Sequence, residues 1–199
     1  MKMTGEYTIA APRHAVWNAL NDPDVLRQCI PGCQSVEQTA QTEYSATVMA
    51  KVGPVKAKFS GQVTLSNIDA PNGYRISGEG SGGVAGFARG GADVTLQDAP
   101  EGTTLSYAVD AQVGGKLAQI GSRLIDSTAK KMAGDFFRTF GEVVEGAVED
   151  TAEHSASTGE DAMAGDEQVE ENVYPGTHWL VWVTAGVALV ALVAFVSNF

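Results

Sequence analysis

Residues 44–65 read YSATVMAKVGPVKAKFSGQVTL, and this stretch decides the fold. In its first half Tyr44, Ala46, Val48, Ala50 and Val52 recur at every second position. Ser45, Thr47 and Lys51 point the other way, with Met49 the exception. Gly53-Pro54 then makes a tight turn. Beyond it Val55, Ala57, Phe59, Gly61, Val63 and Leu65 alternate with Lys56, Lys58, Ser60, Gln62 and Thr64. A period of two on both sides of a turn is an antiparallel hairpin with one dry and one wet face. The small dry residues Ala46, Ala50, Ala57 and Gly61 leave space above the sheet. The wet face carries Lys51, Lys56 and Lys58, a basic strip that is either simply solvated or fitted to docking an acidic partner.

Outward from the hairpin the alternation continues through residues 74–80, 92–96 and 103–113, where Leu105, Tyr107, Val109, Ala111 and Val113 face inward. Gly114-Gly115 ends it, and a helical period takes over. Leu117, Ile120, Leu124, Ile125, Thr128, Met132, Phe136, Phe140 and Val144 form one broad stripe. A helix over residues 116–144 is ~43 Å long at 1.5 Å per residue. Upstream, residues 6–10 suit a short strand, and Ala11-Pro12 opens a helix with proline in its first turn, where the missing N–H costs nothing. A second short helix covers residues 23–29 and stops at Ile30-Pro31-Gly32. Two small helices, a long antiparallel sheet and a final long helix predict an α+β fold of the helix-grip kind. The long helix lies across the concave face of the sheet, with an apolar pocket between them. Phe59, Tyr74, Phe87, Tyr107, Leu117, Leu124, Met132, Phe136, Phe137 and Phe140 are its expected walls. Tyr74 and Tyr107 supply the polar contacts if they are more than core tyrosines.

The remaining motifs carry little chemistry. Gly78, Gly80 and Gly83 spell G-x-G-x-x-G, but a dinucleotide site needs a helix N-terminus after it to hold the pyrophosphate. Residues 84–91 hold too much glycine for that helix. These glycines instead permit strand bending and close approach of a backbone or ligand, with Phe87 at a pocket mouth. Gly121, Gly134 and Gly141 in the helical stretch mean either close packing on the sheet or room for a flat ligand. Cys29 and Cys33 have no second pair, and no Ser/His/Asp set or His/carboxylate cluster converges on the sheet interior. Acid–base chemistry needs a titratable group within hydrogen-bond reach of substrate, so no catalytic residue and no metal site are expected.

Charge divides the 199 residues into three zones. All thirteen basic residues lie at or before Arg138, and thirteen acids up to Asp135 balance them. The other eleven acids, from Glu142 to Glu171, make up the whole net charge of −11. The expected organisation is a globular domain over 1–146, an acidic disordered tether over 147–177, and a transmembrane tail anchor over 178–197. Residues 179–196, WLVWVTAGVALVALVAFV, hold no charge and span ~27 Å as a helix, close to the hydrocarbon thickness of a bilayer. Trp179 and Trp182 suit the interface, and Leu189, Leu192 and Phe195 the lipid interior. Residues 1–12 show no apolar export segment, so a globular domain facing the cytoplasm from the cytoplasmic membrane is expected. Nucleic acid, which calls for clustered Lys/Arg over a large face, is not an expected partner.

Five segments in order now carry a resemblance. They are Pro23-x-x-Leu26 leading to Cys29-Ile-Pro-Gly-Cys33; Val52-Gly-Pro-Val-Lys56; the glycine-rich residues 78–91; Gly114-Gly-Lys-Leu-Ala-Gln-Ile-Gly-Ser-Arg-Leu124; and Phe136-Phe137. Over roughly residues 1–145 the chain resembles the CoxG family of carbon monoxide dehydrogenase subunits, within the START-like, SRPBCC superfamily. The resemblance implies a helix-grip fold with a hydrophobic cavity, no catalytic residue set and no cofactor of its own. It further implies attachment of a carbon monoxide dehydrogenase, or a related molybdenum hydroxylase, to the membrane, and a bound isoprenoid quinone linking that enzyme to the respiratory chain. A membrane adaptor without ligand, and a START-like cyclase or lipid-modifying enzyme, are the alternatives.

Overall fold

The computed structural model describes residues 1–156. The hairpin forms as its alternation requires. Strand β3 (Glu43–Val52) pairs antiparallel with β4 (Val55–Asp69), from Glu43 opposite Thr64 to Val52 opposite Val55. Tyr44, Ala46, Val48, Ala50, Val52, Phe59, Val63 and Leu65 are all buried on the dry side. Five further strands extend the sheet: β1 (Lys2–Ile9), β2 (Cys33–Ala40), β5 (Gly73–Ser81), β6 (Phe87–Ala99) and β7 (Gly102–Gly114). The order is β1-β7-β6-β5-β4-β3-β2, antiparallel throughout, so the first strand pairs with the last. The Met1 amino group donates to the Ala111 carbonyl at 2.6 Å and lengthens that junction.

Helix α1 (Arg13–Leu20) and helix α2 (Pro23–Cys29) lie where the proline signals put them. Asp22 caps α2 by accepting from the Asp24 N–H at 2.8 Å, and Pro23 occupies the first helical position, where no donor is needed. Strand β2 has no counterpart in the periodicity. It is an edge strand in which only Val36 is buried, so its sequence, CQSVEQTA, carries no apolar alternation to read.

The long helix differs from expectation at both ends. The chain first makes a short 3-10 turn (Ala118–Ile120), then breaks at Gly121 with φ +98°, and helix α3 runs Ser122–Ala156. That left-handed backbone suits glycine and prevents one continuous helix from residue 116. The break rotates the stripe. Ile125, Ala129, Met132, Ala133, Phe136, Phe137, Phe140 and Val144 are buried, whereas Leu124 is left at the surface. At its far end α3 passes through residues 147–156, which the charge pattern assigns to the tether. Ala147, Val148, Glu149, Ala152 and Glu153 are mostly good helix formers, and no proline interrupts them.

The helix stripe, the dry faces of the strands, and Val16, Trp17, Leu20, Leu26 and Cys29 of the two short helices share one core. This is a curved seven-stranded antiparallel sheet gripping a long C-terminal helix. No helix among the described residues is long and apolar enough to cross a membrane. The apolar run with Trp179, Trp182, Leu189, Leu192 and Phe195, and residues 157–177 of the acidic stretch, lie outside the described residues.

Candidate ligand-binding interior

The sheet carries a band without bulky side chains. Ala46 stands opposite Gly61, Gly61 opposite Gly80, and Gly80 opposite Ala88, so one inward-facing row across β3–β6 has nothing larger than a methyl group. One row along, Gly78, Gly90 and Ala111 continue the band across β5–β7. Beside it the Phe59 ring folds against the backbone of Gly82, where no Cβ is present to stop it. The small residues leave room above the sheet for a flat ring, and the chain's own Phe59 ring rests just beyond the end of β5.

A separate aromatic group in the same core is built from α3, β1 and β7. Tyr7 stacks on Phe137 with centroids 4.2 Å apart, and Tyr107 stacks on the same ring at 5.7 Å. Phe136 meets Phe137 edge-on at 5.0 Å and stacks with Phe140 at 5.6 Å. Tyr107 shares a hydrogen bond with Tyr7, and burial first, then the neighbouring Tyr7, pushes its hydroxyl up to about 12. The Tyr107 hydroxyl is therefore neutral at physiological pH. Deeper in, Tyr74 lies 5.4 Å from Trp17 of α1, and burial followed by the nearby Tyr44 raises its hydroxyl as well. The Trp17 Nε1–H is buried with no acceptor among the described residues. An orphaned donor of this kind costs ~1–3 kcal/mol and is relieved by any group that brings it an oxygen.

Of the ten expected wall residues, Tyr107, Phe136, Phe137 and Phe140 belong to this aromatic group, and Phe59 and Met132 are buried in the same core. Tyr74 is buried under α1 instead, against Trp17. Leu117, Phe136 and Phe140 are 0% exposed, so no water-sized space touches them and the interior around them is filled rather than hollow. Phe87 is not an inward residue. It lies on the outer face, 51% exposed, with its ring over Gly114. Its place at the first position of β6, just after the glycine-rich turn, puts it out of phase with buried Ala88. Leu124 is 41% exposed and packs over the hairpin turn, because the break at Gly121 turns it off the helix stripe. Sequence periodicity missed Tyr7 and Trp17. Tyr7 shares the inward side of β1 with Met3 and Ile9, an alternation that begins upstream of the strand expected over residues 6–10, and Trp17 reads as one more apolar residue of a short helix.

The family model for CoxG, a carbon monoxide dehydrogenase subunit, matches residues 5–145, most of the described chain. The chain belongs to the CoxG family. Among solved structures this CoxG-family chain is similar to a conserved protein from Geobacillus kaustophilus, at 30% identity and TM-score 0.70, covering 74% of this chain and 97% of that one. A protein from Thermus thermophilus has TM-score 0.57 at 17% identity, covering 74% and 99% of the two chains. A Chromobacterium violaceum protein has TM-score 0.56 at 15% identity, covering 72% and 97%. These last two share the fold. Comparison with curated proteins finds no match. The architecture is that of the START-like, SRPBCC superfamily.

In this CoxG-family domain three loops meet at the end where α3 begins. The β3–β4 turn touches α3, a Cβ on Gly53 lying 2.9 Å from Leu124. The Leu117 N–H donates to the Ala85 carbonyl at 3.1 Å, tying the 3-10 turn (Gly83–Ala85) to the segment before α3. Gly86 packs so closely on the Gly114 and Gly115 backbone that any side chain there would collide. These contacts close the end of the core nearest the small-residue band. On the outer face, a trough of about 740 Å³ is lined by Gln62, Thr64, Arg75, Ser77, Glu79 and Arg89, among others. Its wall is polar and braced by the Arg75–Asp93 ion pair at 2.6 Å, which suits water or a polar surface better than a hydrocarbon ligand. Cys29 and Cys33 are both free thiols, raised chiefly by burial.

Proposed function

We propose that this protein is a membrane-associated accessory factor of a molybdenum hydroxylase of the carbon monoxide dehydrogenase type, and that it carries an isoprenoid quinone between the bilayer and that enzyme. Family membership over residues 5–145 is the observation that carries the accessory role. The carrier role is supported by the interior: a row of Ala and Gly across four strands, a cluster of aromatic rings in the same core, and a neutral Tyr107 hydroxyl able to donate to a quinone carbonyl. Loading requires Phe59 and the loop contacts at the α3 end to move aside, since the rings now fill the space. The uncharged apolar run at 179–196 supports a membrane location, and the domain is taken to face the cytoplasm, where a hydroxylase of this type would be met. No reaction is assigned to the protein itself: the interior groups are phenols and an indole held neutral, suited to holding a ligand rather than to proton transfer at pH 7.

Extraction of the full chain, purified from its native membranes in mild detergent, tests the carrier role. Mass spectrometry is expected to recover isoprenoid quinone at close to one per chain, together with quenching of Trp17 fluorescence, read with Trp179→Phe and Trp182→Phe in place, when quinone is added back to delipidated protein. Absence of both leaves the second reading, an adaptor that joins enzyme to membrane without a ligand. The filled space around Leu117, Phe136 and Phe140 favours that reading.

A further inference from the structure

Of the four large apolar side chains left exposed among the described residues, Val84, Phe87 and Leu124 lie at the α3 end, and only Ile68 lies elsewhere. Val84 is 86% exposed, at the middle of the 3-10 turn that forms the tip of its loop. Pro54 is exposed on the adjacent turn. Around these residues stand Lys51, Lys56, Lys58, Lys116 and Arg123, the first three on the hairpin, Lys116 on the segment leading into α3 and Arg123 at the start of α3. None of the five joins an ion pair among the described residues. Lys51 stands directly opposite Lys56 across the two strands. Like charges in that position repel, so the pair is a standing cost unless an anion is brought to it. Asp126, just past the first turn of α3, is the acid nearest in sequence to this group. The opposite end of the sheet carries Glu43, Asp69, Asp98 and Glu101, with Glu145 of α3 accepting from the Ala10 N–H there. Residues 1–138 are neutral by count and yet strongly polarised along the length of the domain.

We propose that the α3 end is an interfacial docking surface for an anionic lipid bilayer, with Val84 inserting at the level of the headgroups and the five cations pairing with lipid phosphates. This rests on the carrier reading for its purpose, since it places the end that must open for loading against the source of the ligand. An acidic protein face is the other occupant such charge would fit. The residue types decide between them. Lysine is depleted in protein–protein interfaces, whereas lysines around a protruding apolar side chain are the pattern of a membrane-surface anchor. Four of the five cations are lysines, whose long stems let the charge reach phosphates while the tip sinks below them. Each cation near an anionic leaflet strengthens attraction by about fivefold, and the acidic end of the domain is turned away.

The test uses the full chain in vesicles, with Val84→Cys carrying an environment-sensitive fluorophore in a Cys33→Ser background. Emission is expected to shift to the blue in vesicles containing 30 mol% (about a third) phosphatidylglycerol and to stay unshifted in pure phosphatidylcholine. Adding Lys51→Glu, Lys56→Glu and Lys58→Glu together is expected to abolish the shift. These are surface substitutions, and an unchanged circular dichroism melt confirms the fold. No shift in anionic vesicles overturns the proposal, as does an equal shift in both lipids. So does a label that responds only when soluble molybdenum hydroxylase is added, which makes the surface a protein dock. Quinone content of the same preparation separates the two readings. Quinone present without a shift removes the docking surface and keeps the carrier; a shift without quinone does the reverse.

Discussion

At the scale of single residues the interior is defined by who can give up a proton. Tyr107 holds its proton to about 12 against the ordinary 10.0, because burial and the neighbouring Tyr7 both disfavour the phenolate. In the unfolded chain the same group ionises near 10.0. Between those values the native state binds more protons than the unfolded one, so stability contributed below pH 10 is lost as pH rises toward 12. The urea midpoint of the wild type is expected to fall through that window, and to fall less steeply in Tyr107→Phe. That variant also gives up its bond with Tyr7, at a cost of ~1 kcal/mol visible at pH 7. A parallel fall in both proteins would show that other groups govern the alkaline limb. Residue identity also explains two misplaced wall residues. Leu124 and Phe87 are apolar and near glycines, but apolarity does not say which face a residue takes when the backbone changes phase beside it.

At the scale of elements, the break at Gly121 sets the helix register. With φ +98° and open space around a would-be Cβ, an alanine there meets no clash but must adopt a left-handed backbone or let the 3-10 turn flow into α3. Gly121→Ala is expected to lower stability by ~1 kcal/mol or more, read as a reduced urea midpoint. Gly134→Ala, in mid-helix with the Tyr7 hydroxyl a comfortable 4.0 Å from the new methyl, is expected to be neutral or to gain up to ~1 kcal/mol. If the two variants behave alike, the phase break is not what glycine provides at 121. The same contrast shows what the sequence made legible. Elements with one dry face announced themselves: the β3–β4 hairpin, β7 and the α3 stripe follow their periods closely. Strand β2, half-wet with only Val36 buried, and the glycine-rich start of β6 left no period to follow. The 3-10 turn and the break before α3 depend on a dihedral angle that the letters around Gly121 permit but do not compel. The small-residue band was visible only in part, since Gly80 and Ala88 join Ala46 and Gly61 through strand register, which is a property of the folded sheet.

At the scale of the whole molecule, charge and apolarity are sorted along the chain and along the domain. The basic, apolar-tipped α3 end belongs to the folded domain, while the net charge of −11 comes from the acids between Glu142 and Glu171. The acids beyond α3 would be repelled by an anionic leaflet that the α3 end attracts. An acidic stretch between a basic domain face and an uncharged apolar run thus keeps the domain's two ends distinguishable to a membrane. Under the proposed function the protein has two attachments of unequal strength: the uncharged run of residues 179–196 for retention, and a handful of cations with Val84 for orientation. Deleting residues 172–199 separates them. In cells, that variant and its hydroxylase are expected to move together to the soluble fraction on fractionation at physiological salt. A weaker membrane association that vanishes as salt is raised is expected to remain at low ionic strength, because the cations are still in place. Hydroxylase that stays on the membrane without the tail would mean that it attaches independently, and the accessory role would then lie in ligand delivery alone.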